Sequence, residues 1–203
     1  MMLFNRWKQL MAKMNLIENR ETYDALIHAY SDESRSYHNL DHLRSVLASL
    51  DLVEQSAIHK NELELALWFH DAIYKPLCAC NEYKSAEWAR EFLTQNNVNE
   101  ESIDFVIQLI NATKHSVKSE HGDDLLIADI DIAILGRSHD VYEKYARNVR
   151  YEYRQVPSFI YKKKRKALLE SFLSKPRIYS TAHFYQAFEI QARKNLTNEI
   201  RRL

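Results

Sequence analysis

The 203-residue chain contains very little glycine and proline, with two Gly and three Pro. Proteins have roughly 7% and 5% of these residues on average, so this chain has few of the residues that form turns and end helices. Leu, Ala, Glu, Lys and Arg, which favour helices, fill much of the sequence and predict an all-α fold. The shortage of glycine also excludes a glycine-rich phosphate loop and a dinucleotide-binding fingerprint, which removes two large enzyme classes.

The chain also lacks net charge, because Lys plus Arg and Asp plus Glu both number 28. A balanced chain exerts no overall field on nucleic acid or on an anionic membrane. The basic run at residues 162–166 is followed by Leu168, Leu169 and Phe172, so we interpret it as the solvated face of an amphipathic helix. The charge balance therefore argues against a nucleic-acid partner, although a weak, salt-dependent contact of this run with phosphate or nucleic acid stays open.

Long apolar runs and cysteine are scarce as well. No segment approaches the ~20 apolar residues of a membrane span, and the N-terminus begins no long apolar stretch. Only Cys78 and Cys80 are present, and their spacing suits neither a disulfide nor a zinc ribbon. We expect two reduced thiols and a cytoplasmic protein without a membrane partner.

Hydrophobic periodicity predicts a series of helices joined by short polar segments. No repeat, low-complexity tract or linker interrupts them, so we predict one domain over residues 1–203. Asn39 is the expected N-cap of the third helix, Pro76 should end the fourth and Gly136 should end the seventh. The predicted helices span residues 3–14, 22–30, 39–56, 62–74, 82–95, 102–114, 125–135, 141–156, 158–174 and 183–203.

His70 and Asp71 stand side by side in an apolar run at residues 67–74. Burying a carboxylate without a partner costs several kcal/mol, so a buried Asp pairs, neutralises or binds a metal. A neutral imidazole nitrogen beside an anionic oxygen suits a divalent cation. This pair is the strongest indication of a metal site in the chain.

Three further places put metal-type side chains where burial is expected. His38 and His42 flank the predicted start of the third helix, and His115 follows the sixth. Asp129 and Asp131 interrupt a continuous apolar helix and face nearly opposite sides, so at least one should be buried. Periodicity alone does not choose between the two aspartates, nor does spacing choose between His38 and His42.

The order His, His-Asp, His and Asp along the chain resembles the HD superfamily of metal-dependent phosphohydrolases. The segment Tyr37-His38-Asn39 followed by His42 is also similar to a cyclic-nucleotide phosphodiesterase motif. The chain looks most like the compact bacterial family of predicted HD phosphohydrolases, whose fold is a single-domain helical bundle. Further matching stretches lie at residues 68–71, 81–82, 112–115, 129–136, 149–153 and 192–196.

The resemblance implies a role for each matching residue. His42, His70, Asp71 and Asp129 would hold the metal, and His38 would act as general acid. Glu82 would position water as a second catalytic residue. His115 matches a further His that would bind substrate or a second metal. Apart from the resemblance, Arg35 and Lys114 lie next to candidate ligands in the sequence and, with Asp131, are further candidates to bind substrate or a second metal.

The function that follows is metal-assisted hydrolysis of a phosphate ester or anhydride. The substrate would be a nucleotide or another small phosphorylated metabolite, and the cofactor would be Mn, Mg, Co, Ni, Zn or Fe. Two alternatives stay open: an HD-fold di-iron oxygenase, and a metal- or nucleotide-binding module without turnover. The sequence does not indicate the oligomeric state.

Overall fold

The computed structural model describes residues 3–114 and 122–203, and every regular element in them is helical. This confirms the all-α prediction. The chain divides into two compact units, Met1–Ala128 and Asp129–Leu203. Single-domain organisation stays a prediction.

Within residues 3–114 and 122–128, the first unit contains six complete helices and most of a seventh. The longest, α5 and α3, contain 15 and 14 residues. The bounds are α1 (Leu3–Lys13), α2 (Arg20–Tyr30), α3 (Leu40–Val53), α4 (Lys60–Phe69), α5 (Asn81–Gln95), α6 (Glu100–Ala112) and α7 (Gly122–Asp131), with a 3₁₀ turn at Glu54–Ser56.

Helix α4 is the centre of this unit, because every residue from Leu63 to Phe69 is buried. It packs against α1, α3, α5 and α6. Trp68 meets Trp7 edge-on with ring centroids 5.3 Å apart, and Phe69 lies 5.7 Å from Phe92. A helix that is buried on every side must be surrounded by other elements. The residues that directly follow α4 therefore begin in the interior.

The second unit begins with the last turn of α7, which continues as a 3₁₀ segment, Ile132–Gly136. Helices α8 (His139–Glu152), α9 (Ser158–Leu173) and α10 (Ala182–Ile200) follow. The 3₁₀ segment packs against α8 and α10. It ends at Gly136, as the sequence predicts, and α9 begins directly after Pro157.

A buried ion pair links two helices of the second unit. Arg165 Nε of α9 lies 2.8 Å from Glu199 Oε1 of α10, and Tyr142 of α8 donates to the same carboxylate. The pKa of Arg165 lies well above its usual range, because Tyr145, Tyr142 and Glu199 outweigh the opposing effect of burial. The prediction of a fully solvated basic run is therefore wrong for Arg165, although the four lysines of the run are exposed.

Candidate metal centre

His70 and Asp71 lie where α4 ends. The main-chain N–H of His70 still donates to Ala66 O at 2.8 Å, whereas that of Ala72 turns back to Phe69 O at 2.9 Å. The helix stops at Phe69, so the prediction that it continues to residue 74 is wrong. In a continuing helix the His and Asp side chains would diverge by about 100°. Because the helix ends at Phe69, the side chains of His70 and Asp71 are not held to this divergence.

Arg35 and Ser85 hold the turn that replaces the last part of the expected helix. The Arg35 guanidinium donates to the main-chain oxygens of Asp71 and Ala72 at 2.7 and 2.9 Å. The N–H of Ile73 donates to Ser85 Oγ at 3.0 Å. These partners satisfy main-chain groups that the helix would otherwise pair. Arg35, predicted to contact substrate, thus positions the His-Asp turn through its main chain.

Asn39 sets the direction in which α3 enters the site. Its side-chain oxygen accepts from the N–H groups of Asp41 and His42 at 2.9 and 3.4 Å. The predicted N-cap is therefore confirmed. His42 lies in the first turn of α3 and is buried.

The structure brings His42, His70 and Asp71 together. The two histidine Nε2 atoms are 3.0 Å apart. Asp71 Oδ2 lies 3.3 Å from Nε2 of His42 and 3.2 Å from Nε2 of His70. Ligands about 2.1 Å from one ion lie about 3.0 Å apart at a right angle and about 3.4 Å apart at the tetrahedral angle. Two imidazoles and a carboxylate with this spacing could hold a divalent metal ion.

The contacts of His70 and Asp71 favour cation binding. His70 Nδ1 lies 2.8 Å from Leu67 O, which can only accept, so Nδ1 carries a proton and Nε2 is the ring nitrogen directed towards His42 and Asp71. Burial alone would raise the pKa of Asp71. His70 and His38, with hydrogen bonds from His42 and His70, outweigh burial and hold that pKa well below its usual value. The carboxylate is ionised and available as a ligand.

His38 lies beside this group and stacks on Tyr74. Their ring centroids are 3.9 Å apart with an angle of 21° between planes, and the His38 ring lies 5.9 Å from that of His42. His38 is half-buried, so it can meet both the site and solvent. Sequence analysis missed the role of Tyr74, because nothing in the apolar run at 67–74 marks it as a partner of His38.

Asp129, the expected metal ligand, has a structural role within the second unit. Its Oδ1 accepts from Ser180 N at 3.0 Å, and its Oδ2 accepts from the N–H and hydroxyl of Thr181, both at 2.7 Å. Both oxygens are thus engaged just before α10 begins. Asp131 is the last residue of α7 and is half-buried.

The other predicted residues are more scattered. Glu82 lies half-buried in the first turn of α5, and no hydrogen bond or ion pair within the described ranges joins it to the His-Asp group. Lys114 is exposed just after α6. His115 lies outside the described residues.

The structure joins Cys78 and Cys80 in a disulfide, so the prediction of reduced thiols is wrong. Their Cα atoms are 5.2 Å apart, within the range that a disulfide spans. Leu77, with a φ of 72°, turns the chain between Pro76 and the first cysteine.

In the part of the chain that the structure describes, no helix combines the length and apolar character that crossing a bilayer requires. No model of a known protein family, no curated protein and no solved structure matches the chain. The resemblance to the HD superfamily therefore stays a prediction.

Proposed function

We propose that the chain is a metal-dependent hydrolase of a phosphate ester or anhydride in a small molecule, such as a nucleotide. The observation that carries this proposal is the spacing of the three donor atoms on His42, His70 and Asp71, at 3.0–3.3 Å. The order of these residues along the chain, as in the HD superfamily, supports phosphate chemistry over other uses of a metal.

Of the two aspartates that the sequence offers as a fourth ligand, Asp129 and Asp131, we favour Asp131. The support for this choice is the engagement of Asp129, whose two carboxylate oxygens accept three hydrogen bonds close to α10. A carboxylate in that role would have to give up bonds worth about 1.5–3 kcal/mol each to bind a cation. Asp131 is the other acidic side chain that the sequence offers at the end of α7.

A divalent ion bound here would acidify water and neutralise charge on the phosphoryl oxygens. His38 is the residue of this chain best placed to move a proton, because it is half-buried beside the ligands. Its stacking on Tyr74 fixes the plane of the imidazole. We assign His38 to protonate the leaving group.

The experiment starts from metal-depleted protein. Mn, Mg, Co, Ni, Zn and Fe are added in turn, bound metal is measured by elemental analysis, and phosphate release is screened over nucleotides and sugar phosphates. We expect one tightly bound ion and turnover, both lost in His42→Ala and Asp71→Asn. His28→Ala is the matched control, because His28 is exposed on α2.

The outcomes separate the candidate functions. Equal metal binding by Asp71→Asn and the parent would overturn the metal site. A bound ion without phosphate release from any substrate would instead favour a binding module, and oxygen-dependent turnover with iron would favour an oxygenase. His38→Ala should retain the ion and lose turnover.

A further inference from the structure

The zero net charge of the chain conceals a strong imbalance between its two units. Residues 129–203 contain 16 Lys and Arg against 8 Asp and Glu, a net charge of +8, and residues 1–128 have the opposite balance, 12 against 20. Opposite charge in the two parts of a chain is typical of proteins that bind a polyanion through the basic part. The second unit therefore attracts anions, although the net charge of the whole chain is zero.

The excess charge is concentrated on α9. This helix contains Lys162, Lys163, Lys164 and Lys166, which are all exposed. Within the described ranges, 3–114 and 122–203, none of these four lysines forms an ion pair. The buried Arg165 between them is neutralised by Glu199, so it anchors the helix and leaves the lysines unbalanced.

A cavity beside α9 extends the basic surface. It has a volume of about 290 Å³ and is lined by Lys162 together with Arg147 and Arg150 of α8. Its two carboxylates are already engaged, because Glu143 pairs with Arg202 and Glu199 pairs with Arg165. The remaining cations around this concave surface suit phosphate groups.

Exposed aromatic and apolar side chains lie among the lysines. Phe159 is 75% exposed in the first turn of α9, and its neighbour Ile160 is 39% exposed. At 100° per residue, Lys163 lies between these two side chains on the helix surface. An interfacial membrane helix needs a continuous apolar face separate from its cations. This mixed face fits nucleic acid better, because lysines follow the phosphates and a ring stacks on a base.

We propose that the second unit binds single-stranded nucleic acid through α9 and the adjoining cavity. Lys162, Lys163 and Lys166 contact the phosphate backbone, and Phe159 stacks on a base. This function is separate from metal chemistry at His42, His70 and Asp71.

The test measures fluorescence anisotropy of a labelled single-stranded oligonucleotide with the full 203-residue protein, over a series of salt concentrations. Lys163→Gln/Lys166→Gln should weaken binding about tenfold or more at low salt and reduce the salt slope by about 1.4, which is about 0.7 for each lysine lost. Phe159→Ala should weaken single-strand binding about fivefold or more, with little change for duplex. The matched control is Lys8→Gln/Lys84→Gln, two lysines of the acidic unit.

The proposal would be overturned by no oligonucleotide binding at low salt, by the same loss in the control variant, or by binding only to vesicles that contain anionic lipid. Self-association at low salt that the α9 variant abolishes, seen by light scattering without oligonucleotide binding, would also overturn it. Circular dichroism and thermal melting show that each variant is folded. Metal content is measured in parallel and should not change, so failure here is distinct from failure of the metal site.

Discussion

The Arg35 guanidinium donates to the main-chain oxygen of Asp71 at 2.7 Å, while the carboxylate Oδ2 of Asp71 faces the two histidines. Arg35 is buried, with its guanidinium carbon 5.5 Å from the centroid of the Tyr30 ring. A planar guanidinium can bond two carbonyl oxygens at once, which an ammonium cannot do with the same geometry. The position of the Asp71 ligand therefore depends on a residue outside the ligand set.

The first prediction concerns this positioning. Arg35→Met should lower Mn affinity about 10- to 100-fold, because losing an outer-shell partner commonly has that effect. The Mn affinity of Arg35→Lys should lie between that of Arg35→Met and that of the parent. The measurement is isothermal titration calorimetry on metal-depleted protein. Arg44→Gln is the control, since Arg44 forms an exposed pair with Asp41. Equal affinity in Arg35→Met and the parent would refute the positioning role.

A second prediction separates Asp129 from Asp131. Asp129→Asn should reduce the free energy of unfolding by about 1–3 kcal/mol, because an amide cannot accept all three hydrogen bonds from Ser180 and Thr181. Asp131→Asn should weaken metal binding. Urea unfolding in a chelator and metal titration give the two quantities. The reverse pattern would restore Asp129 as the ligand.

A third prediction concerns the cap of α3. Asn39→Ala should cost about 0.5–2 kcal/mol of stability, the usual effect of losing an N-cap, and should also weaken metal binding because His42 lies in the first turn. Asn99 caps α6 in the same way, accepting from Ser102 N at 2.9 Å. Asn99→Ala should lower stability alone. If both variants leave metal affinity intact, the cap does not position His42.

The two glycines give a fourth prediction. A Cβ at Gly136 would clash with Phe188 Cβ and lie 2.8 Å from its main-chain oxygen, whereas one at Gly122 would meet, among the described residues, Ile58 Cδ1 at 3.4 Å. Gly136→Ala should destabilise the protein by about 1–3 kcal/mol or more through overpacking. Gly122→Ala should stay within about 1 kcal/mol of the parent. Chemical denaturation measures both, and similar values would contradict the close approach of α10 to Gly136.

Local patterns were enough to predict most helices. Asn39 marks the start of α3 because a side-chain amide caps free N–H groups whatever the rest of the fold. Gly136 and Pro157 mark boundaries for similarly local reasons. The end of α4 was mispredicted because its cause is not local. Arg35 and Ser85, distant in sequence, bond the main-chain groups of residues 71–73.

The sequence by itself determined the all-α fold and marked His42, His70 and Asp71 as metal-type residues, because helix propensity and the cost of burying a carboxylate are local properties. Only the tertiary structure decided that three donor atoms from α3 and the end of α4 lie 3.0–3.3 Å apart. It also decided that Asp129 is held by Ser180 and Thr181. Distances between side chains from different elements depend on packing across the core, which no single segment of the chain specifies.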